Sequence, residues 1–267
     1  MADKLVFTIL GCGSSGGVPR LGNLWGSCDP NNPKNMRRRC SLLIQRIGKK
    51  GKTQVLIDTS PDMRSQLLDT QVGALDAVVY THEHADHVHG LDDLRMIVFN
   101  MRKRITVYAA PSAKSSILSR FNYAFQTPPG SDYPPILEMR DLPDDLSIEG
   151  DGGKIDIHSF DVTHGNITVR AIKVNNVLYT PDISAIISGT EVEFKDLDTW
   201  IIDALRKIDH PSHFSFTDAL EHIDRFKPEH AILTNMHFDL DFAEVEQITP
   251  DHVTPAYDLM RIERDIH

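Results

Sequence analysis

Apolar residues in this chain gather into short, β-branched runs separated by polar, glycine- or proline-bearing stretches. The runs at Leu5–Leu10, Ser41–Ile47, Gln54–Asp58, Ala77–Tyr80, Ile105–Ala109, Ile155–Phe160, Ile167–Val174, Val177–Thr180, Trp200–Asp203 and Ala231–Thr234 predict strands. Helical patterns fall at Asp62–Thr70, Ser112–Phe121, Phe216–Phe226 and Asp241–Ile248. Strands mixed with helices through both halves predict a layered α/β architecture. No repeat or low-complexity tract interrupts it. The stretch Phe121–Pro143 is different: Pro128, Pro129, Pro134, Pro135 and Pro143 stiffen it, and it carries Phe121, Tyr123, Phe125 and Tyr133. It reads either as an ordered cover over a site, with Tyr133 stacking on a base, or as a long connection with aromatics packed inward.

Directly after Ala77–Tyr80 stands His82-Glu83-His84-Ala85-Asp86-His87. Imidazole nitrogens and carboxylate oxygens are the ligands that zinc and manganese take. Alternate residues of an extended segment point the same way, so His82 and His84 can share one ion, while Asp86 and His87 turn toward a second. A strand that runs into such a set reads as a metal site rather than a solvated loop.

Composition narrows the remaining classes. The chain has 267 residues, 40% of them hydrophobic and 25% charged, which is ordinary for a globular protein. No apolar run approaches the roughly 18–20 residues that span a bilayer, so no membrane partner is expected. The N-terminal stretch lacks the pattern of a secretory signal, and Cys12, Cys28 and Cys40 are too scattered for a disulfide scaffold. The cytoplasm is the simplest address. A formal net charge of −10 argues against long nucleic acid as a partner. The nearest approach to a basic patch is Lys34 with Arg37-Arg38-Arg39, a solvated loop or a phosphate contact through Arg38. A homodimer is compatible with the sequence.

The motif His-x-His-x-Asp-His after a strand resembles the signature of the metallo-β-lactamase-fold hydrolases. Further matches follow in order: Ile155–Phe160 leads to His164, Val177–Thr180 to Asp182, and Ala231–Thr234 to His237. The resemblance covers essentially the whole chain. It implies a single domain over residues 1–267, an αββα metallo-β-lactamase-like sandwich of two β-sheets flanked by helices. Gly11–Pro19, Arg37–Ser41, Asp58–Asp62, Tyr133–Pro135 and Pro255–Asp258 look like the cyclic-phosphodiesterase branch, whose type member is the phosphoribosyl cyclic phosphodiesterase of phosphonate breakdown; ribonuclease Z is a near relative. The chain departs from that type member at its cysteine-rich structural zinc site, of which only Cys28 remains.

By this resemblance, two divalent ions, Zn²⁺ or Mn²⁺, are held per chain. One takes His82, His84 and His164, the other Asp86, His87 and His237, and Asp182 bridges them, so Asp86 also belongs to the catalytic set. His213, in His213-Phe214-Ser215 at a helix start, is implied as the proton donor to the leaving group, with His210 as the alternative. Asp58 and Asp203 end strands and are expected to orient the ligand loop and His213 by hydrogen bonds. The implied function is hydrolysis of small nucleotide-like or cyclic ribose phosphodiesters through a metal-bridging hydroxide. Two alternatives stand beside it: tRNA 3′ processing of the ribonuclease Z type, and an accessory protein of the same fold, like protein B of pyrroloquinoline quinone biosynthesis.

Overall fold

The computed structural model describes residues 3–266; Met1, Ala2 and His267, the ends of the expected 1–267 span, lie outside the described residues. In chain order the strands are β1 (Lys4–Gly11), β2 (Ser41–Gly48), β3 (Gly51–Ile57), β4 (Ala77–Val79), β5 (Ile105–Ala109), β6 (Leu137–Asp141), β7 (Asp145–Ile148), β8 (Ile155–His164), β9 (Ile167–Val174), β10 (Val177–Thr180), β11 (Thr199–Asp203), β12 (His230–Thr234), β13 (Val253–Pro255) and β14 (Met260–Asp265). The α-helices are α1 (Met63–Asp69), α2 (Ala85–Val88), α3 (Leu94–Met101), α4 (Pro111–Phe125), α5 (Phe216–Phe226) and α6 (Phe242–Ile248).

The strands form two seven-stranded sheets, ordered β14-β1-β2-β3-β4-β5-β6 and β13-β12-β11-β10-β9-β8-β7. The chain divides into two compact units. The first comprises the stretch up to Leu10, Ser41–Asp156 and the stretch from Arg261; the second comprises Gly11–Cys40 and Ile157–Met260.

In the first unit β3, β4 and β5 run parallel, with Ile57 opposite Val79 and Val79 opposite Tyr108. Strands in a parallel sheet are covered on both faces and read as continuous apolar runs. Val55, Leu56, Ile57, Val78 and Val79 are all fully buried. In the second unit β10, β11 and β12 are likewise parallel, with Thr180 opposite Ile202 and Asp203 opposite Thr234. Helix α5 is docked by aromatics: Phe226 lies 6.0 Å from the Trp200 ring on β11 and 5.4 Å from Phe194. Its start is set by Ser215, whose hydroxyl accepts from the Asp218 N–H while the Asp218 carboxylate takes the Ser215 N–H, a reciprocal cap.

Two expectations change. Phe121–Pro143 is not one connection, since α4 continues to Phe125 and β6 begins at Leu137. The Arg37–Arg39 stretch is not a solvated patch: Arg37 is 1% exposed and its guanidinium donates to the carbonyls of Leu240 (2.8 Å) and His237 (3.3 Å). Arg37 thus ties its own loop to the Leu240 and His237 carbonyls, acceptors that offset the cost of burying its guanidinium.

Candidate metal centre

Ligands of α/β proteins gather where parallel strands end at their carboxyl edges, and the polar residues of this chain follow that rule. In the first unit β3 ends at Asp58 and β4 runs through Tyr80 and Thr81 to His82. Asp58 sits in the left-handed region (φ 61°), a strained position for a non-glycine residue. Its carboxylate accepts from the Thr81 N–H (2.8 Å), the Thr81 hydroxyl (2.8 Å) and His87 Nδ1 (2.7 Å). Burial pushes the Asp58 carboxyl up, and the bonds from His87 and Thr81 pull it back.

These bonds settle which ring nitrogen faces outward. His87 donates its Nδ1–H to Asp58, so its lone pair is on Nε2, 3.6 Å from Asp86 Oδ2. The Thr81 hydroxyl is spent on Asp58, so its oxygen, 3.0 Å from His82 Nδ1, accepts from that ring and leaves the His82 lone pair on Nε2 as well. The His82 ring lies 4.5 Å from His84 and 4.2 Å from His87 between centroids. His84 holds the extended conformation before α2 (ψ 152°), and Asp86 and His87 lie in that helical turn. Behind it Gly90 presses on β3's exit: a Cβ there would meet the Ser60 carbonyl at 2.1 Å, so no side chain fits.

In the second unit Asp182 and Asn235 follow β10 and β12, and Asp203 is the last residue of β11, at the same carboxyl edge. Donor atoms of His164, Asp182 and His213 all lie within 4.8 Å of one another. His164 Nδ1 donates to the Ser212 carbonyl. His213 Nδ1 donates to Asp203 Oδ2 (2.7 Å), which also accepts the Ile183 N–H (3.1 Å). Burial pushes the Asp203 carboxyl up, and His213 opposes the shift. Asn235, at φ 58°, donates to Asp182 Oδ1 (2.8 Å) and Asp203 Oδ1 (3.1 Å). His210 stands 5.1 Å from the His213 ring, with its Nδ1 near the Ser212 hydroxyl (3.1 Å).

His237 is outside that three-donor grouping. Its Nδ1 donates to Asp239 (3.0 Å), and its Nε2 accepts from Arg20 Nη2 (2.6 Å). Burial lowers its pKa, opposed by Asp239 and reinforced by Arg20. Arg38 pairs with Asp258 (2.8 Å). Tyr133 is 74% exposed and lines a surface cavity of about 470 Å³ with Phe99, Arg102 and Arg104, a cavity to which no ligand residue contributes. Arg20, Thr81, Asn235 and Asp239 were not singled out from sequence. Only Thr81 and Asn235 had a signal, as polar residues directly after a β-run.

The donor set suits a divalent transition ion. Imidazoles present Nε2 while Nδ1 is held by a carboxylate, hydroxyl or carbonyl, the arrangement that orients histidines on zinc. Fold and ligand chemistry together define the class, a metallo-β-lactamase-fold hydrolase. The chain belongs to the beta-lactamase superfamily, whose domain model matches residues 53–238. The crystal structure of a diphosphatase from the PhnP family is similar at 30% identity and TM-score 0.85, covering 100% of this chain and 99% of that one. Zn²⁺-bound PqqB from Methylobacterium extorquens shares the fold, at 16% identity and TM-score 0.70 over 96% of this chain and 99% of that one. An octanoyltransferase of Porphyromonas gingivalis is 33% identical over 255 residues, 94% of this chain, and the chain spans only 50% of its length. No helix among the described residues is long and apolar enough to cross a membrane.

One consequence is independent of metal. Burial pushes the Asp258 carboxyl up to about 6, against the bonds from Arg38. Unfolded, it would titrate near 3.9. Between those values the native state keeps a proton that the unfolded state has lost, so this group's contribution is full below about pH 4 and is lost as pH rises through about 6. Asp258→Asn removes the proton exchange. The difference in unfolding free energy, variant minus wild type, is expected to grow by up to about 3 kcal/mol from pH 4 to pH 7. Urea titrations at both pH values measure it, and a constant difference would refute it.

Proposed function

We propose that the protein is a binuclear metal-dependent phosphodiesterase acting on small nucleotide-like or cyclic ribose phosphodiesters. His82, His84, Asp86, His87, His164, Asp182 and His237 would supply the ligands. When bound, two such ions lower the pKa of a water and neutralise charge on the phosphoryl oxygens. The observation that carries the reading is the Asp203–His213 pair, 2.7 Å apart and beside Asp182. Cleaving a phosphoester of ribose expels an alkoxide, which needs a proton; opening a thioester expels a thiolate, which departs without one. Asp203 takes the Nδ1–H of His213, so Nε2 is the nitrogen that would carry the second proton of the imidazolium and hand it to the leaving oxygen. The likeness to a PhnP-family diphosphatase supports phosphoryl transfer over acyl chemistry.

Acyl transfer is less well supported. It would want a reactive nucleophile, yet Cys12, Cys28 and Cys40 are all buried, and burial raises the Cys12 thiol well above its ordinary range. The matched octanoyltransferase is about twice this chain's length, so its activity need not reside in the shared half.

The test is a substrate screen on metal-loaded protein. Bis-(p-nitrophenyl) phosphate and ribose cyclic phosphates are expected to turn over well ahead of precursor tRNA, and nucleoside monophosphates to bind as product-like inhibitors. Efficient tRNA 3′ processing with negligible turnover of small diesters would reverse the choice in favour of the ribonuclease Z reading. Absence of turnover on every phosphodiester, with full metal occupancy, would favour an accessory role.

A further inference from the structure

The glycine-rich loop Gly11–Pro19 fits no nucleotide-binding fingerprint, and the ligand set does not use it. Its end does something specific. The backbone of Arg20 is pinned on both sides, its N–H donating to the Leu24 carbonyl (2.9 Å) and its carbonyl accepting from the Leu24 N–H (3.1 Å). A Cβ on Gly16 would fall 3.1 Å from Arg20 Nε and 3.3 Å from its Cγ, so the bare glycine makes the groove in which this side chain lies. The guanidinium then stacks over the Phe238 ring at 4.4 Å and donates to His237 Nε2 at 2.6 Å.

Each of these partners is neutral. Asp239 takes the Nδ1–H of His237, which makes the ring a neutral acceptor at Nε2. Among the described residues no carboxylate forms an ion pair with Arg20, although the chain as a whole carries ten more acidic than basic charges (net −10). A half-buried guanidinium held only by neutral groups keeps its charge available to an anion. Moreover, the lone pair that Arg20 uses is the one His237 would offer to a metal. Once a metal takes it, the guanidinium loses its acceptor and faces a second cation.

We propose that Arg20 is a substrate-binding residue, held by the glycine loop and by Phe238 so that its fork grips the non-bridging oxygens of a phosphate bound beside His237. A phosphate group resolves both problems at once, accepting from the guanidinium in bidentate fashion and screening it from the metal. The groove shaped by Gly16 and the stacking on Phe238 preset the rotamer, so little ordering entropy is lost when the anion binds. This inference rests on the phosphodiester reading above.

Three metal-loaded proteins test it: wild type, Arg20→Met and Arg20→Lys. Inorganic phosphate and a nucleoside monophosphate are titrated calorimetrically, and metal content is measured by elemental analysis. Arg20→Met is expected to weaken phosphate binding roughly 10- to 100-fold, the worth of charge-assisted hydrogen bonds, with metal content unchanged. Arg20→Lys keeps the charge and loses the fork, so it is expected to fall between. Phosphate affinity equal to wild type in Arg20→Met would overturn the proposal. So would loss of metal in both variants, which would make Arg20 a support for His237, and so would a wild type that binds no phosphate. A wild type that binds phosphate through Arg20 yet hydrolyses no phosphodiester would leave Arg20's role standing and remove the phosphodiesterase reading instead.

Discussion

Replacing Asp182 with Ala is expected to lower metal content from about two ions per chain to one or fewer, and to reduce turnover by more than the roughly 10–100-fold typical of losing an outer-shell partner. The reason is the bridging role proposed for it. A carboxylate has two oxygens and can serve two ions, so its removal takes a ligand from each. Its carboxylate is held in place by Asn235, whose Nδ2 donates to Oδ1 at 2.8 Å and also to Asp203 Oδ1. Elemental analysis of protein purified without chelator measures the first effect, and diester hydrolysis at saturating metal the second. Asp182→Asn, nearly isosteric, keeps the shape and one oxygen and should retain more metal than Asp182→Ala. Two ions per chain in Asp182→Ala would show that it bridges nothing.

His213→Ala is expected to keep the fold and to lose roughly 10²–10⁴-fold in kcat on a ribose diester, the usual worth of a positioned proton donor. The loss should shrink on bis-(p-nitrophenyl) phosphate, because p-nitrophenolate departs with little need of a proton. That differential separates proton donation from other roles. Equal losses on both substrates would indicate binding of phosphate rather than protonation. Loss of metal would indicate a ligand, a distinct outcome because His213 has a donor atom within 4.8 Å of donors on His164 and Asp182. His210, 5.1 Å from His213 between ring centroids, is the next donor to test in that case.

The central strands were legible in the sequence and the outermost ones were not. β6, β7, β13 and β14 escaped the apolar pattern, and these four are the edges of the two sheets. Edge strands avoid continuous apolar faces because an exposed ladder invites pairing with other chains. β14 reads Met-Arg-Ile-Glu-Arg-Asp and β13 ends in Pro255, devices that blunt an edge and also erase the strand signal. α2 is four residues long, too short for a helical period to show, and its sequence is dominated by ligand chemistry. α3 buries Leu94, Ile97 and Val98 at helical spacing but ends at Arg102 in the left-handed region, without the glycine that usually marks a helix end.

What the sequence by itself determined is the identity and order of the candidate ligand types, each following an apolar run, because strand period and strand end are written in neighbouring residues. Tertiary structure decided which atoms meet around them, including how Asp58 and Asp203, the carboxylates expected from the sequence to act as orienting groups, reach their histidines. His87 meets Asp58 across 29 residues, His213 meets Asp203 across 10, and Asn235 reaches Asp182 across 53. Arg20 meets His237 across 217 residues, and no local pattern distinguishes it from the arginines at positions 37–39, of which one is a buried clamp and another an ion-pair partner. A hydrogen bond depends on two atoms arriving within about 3 Å, and for these pairs only the packing of sheets, loops and helices brings them there.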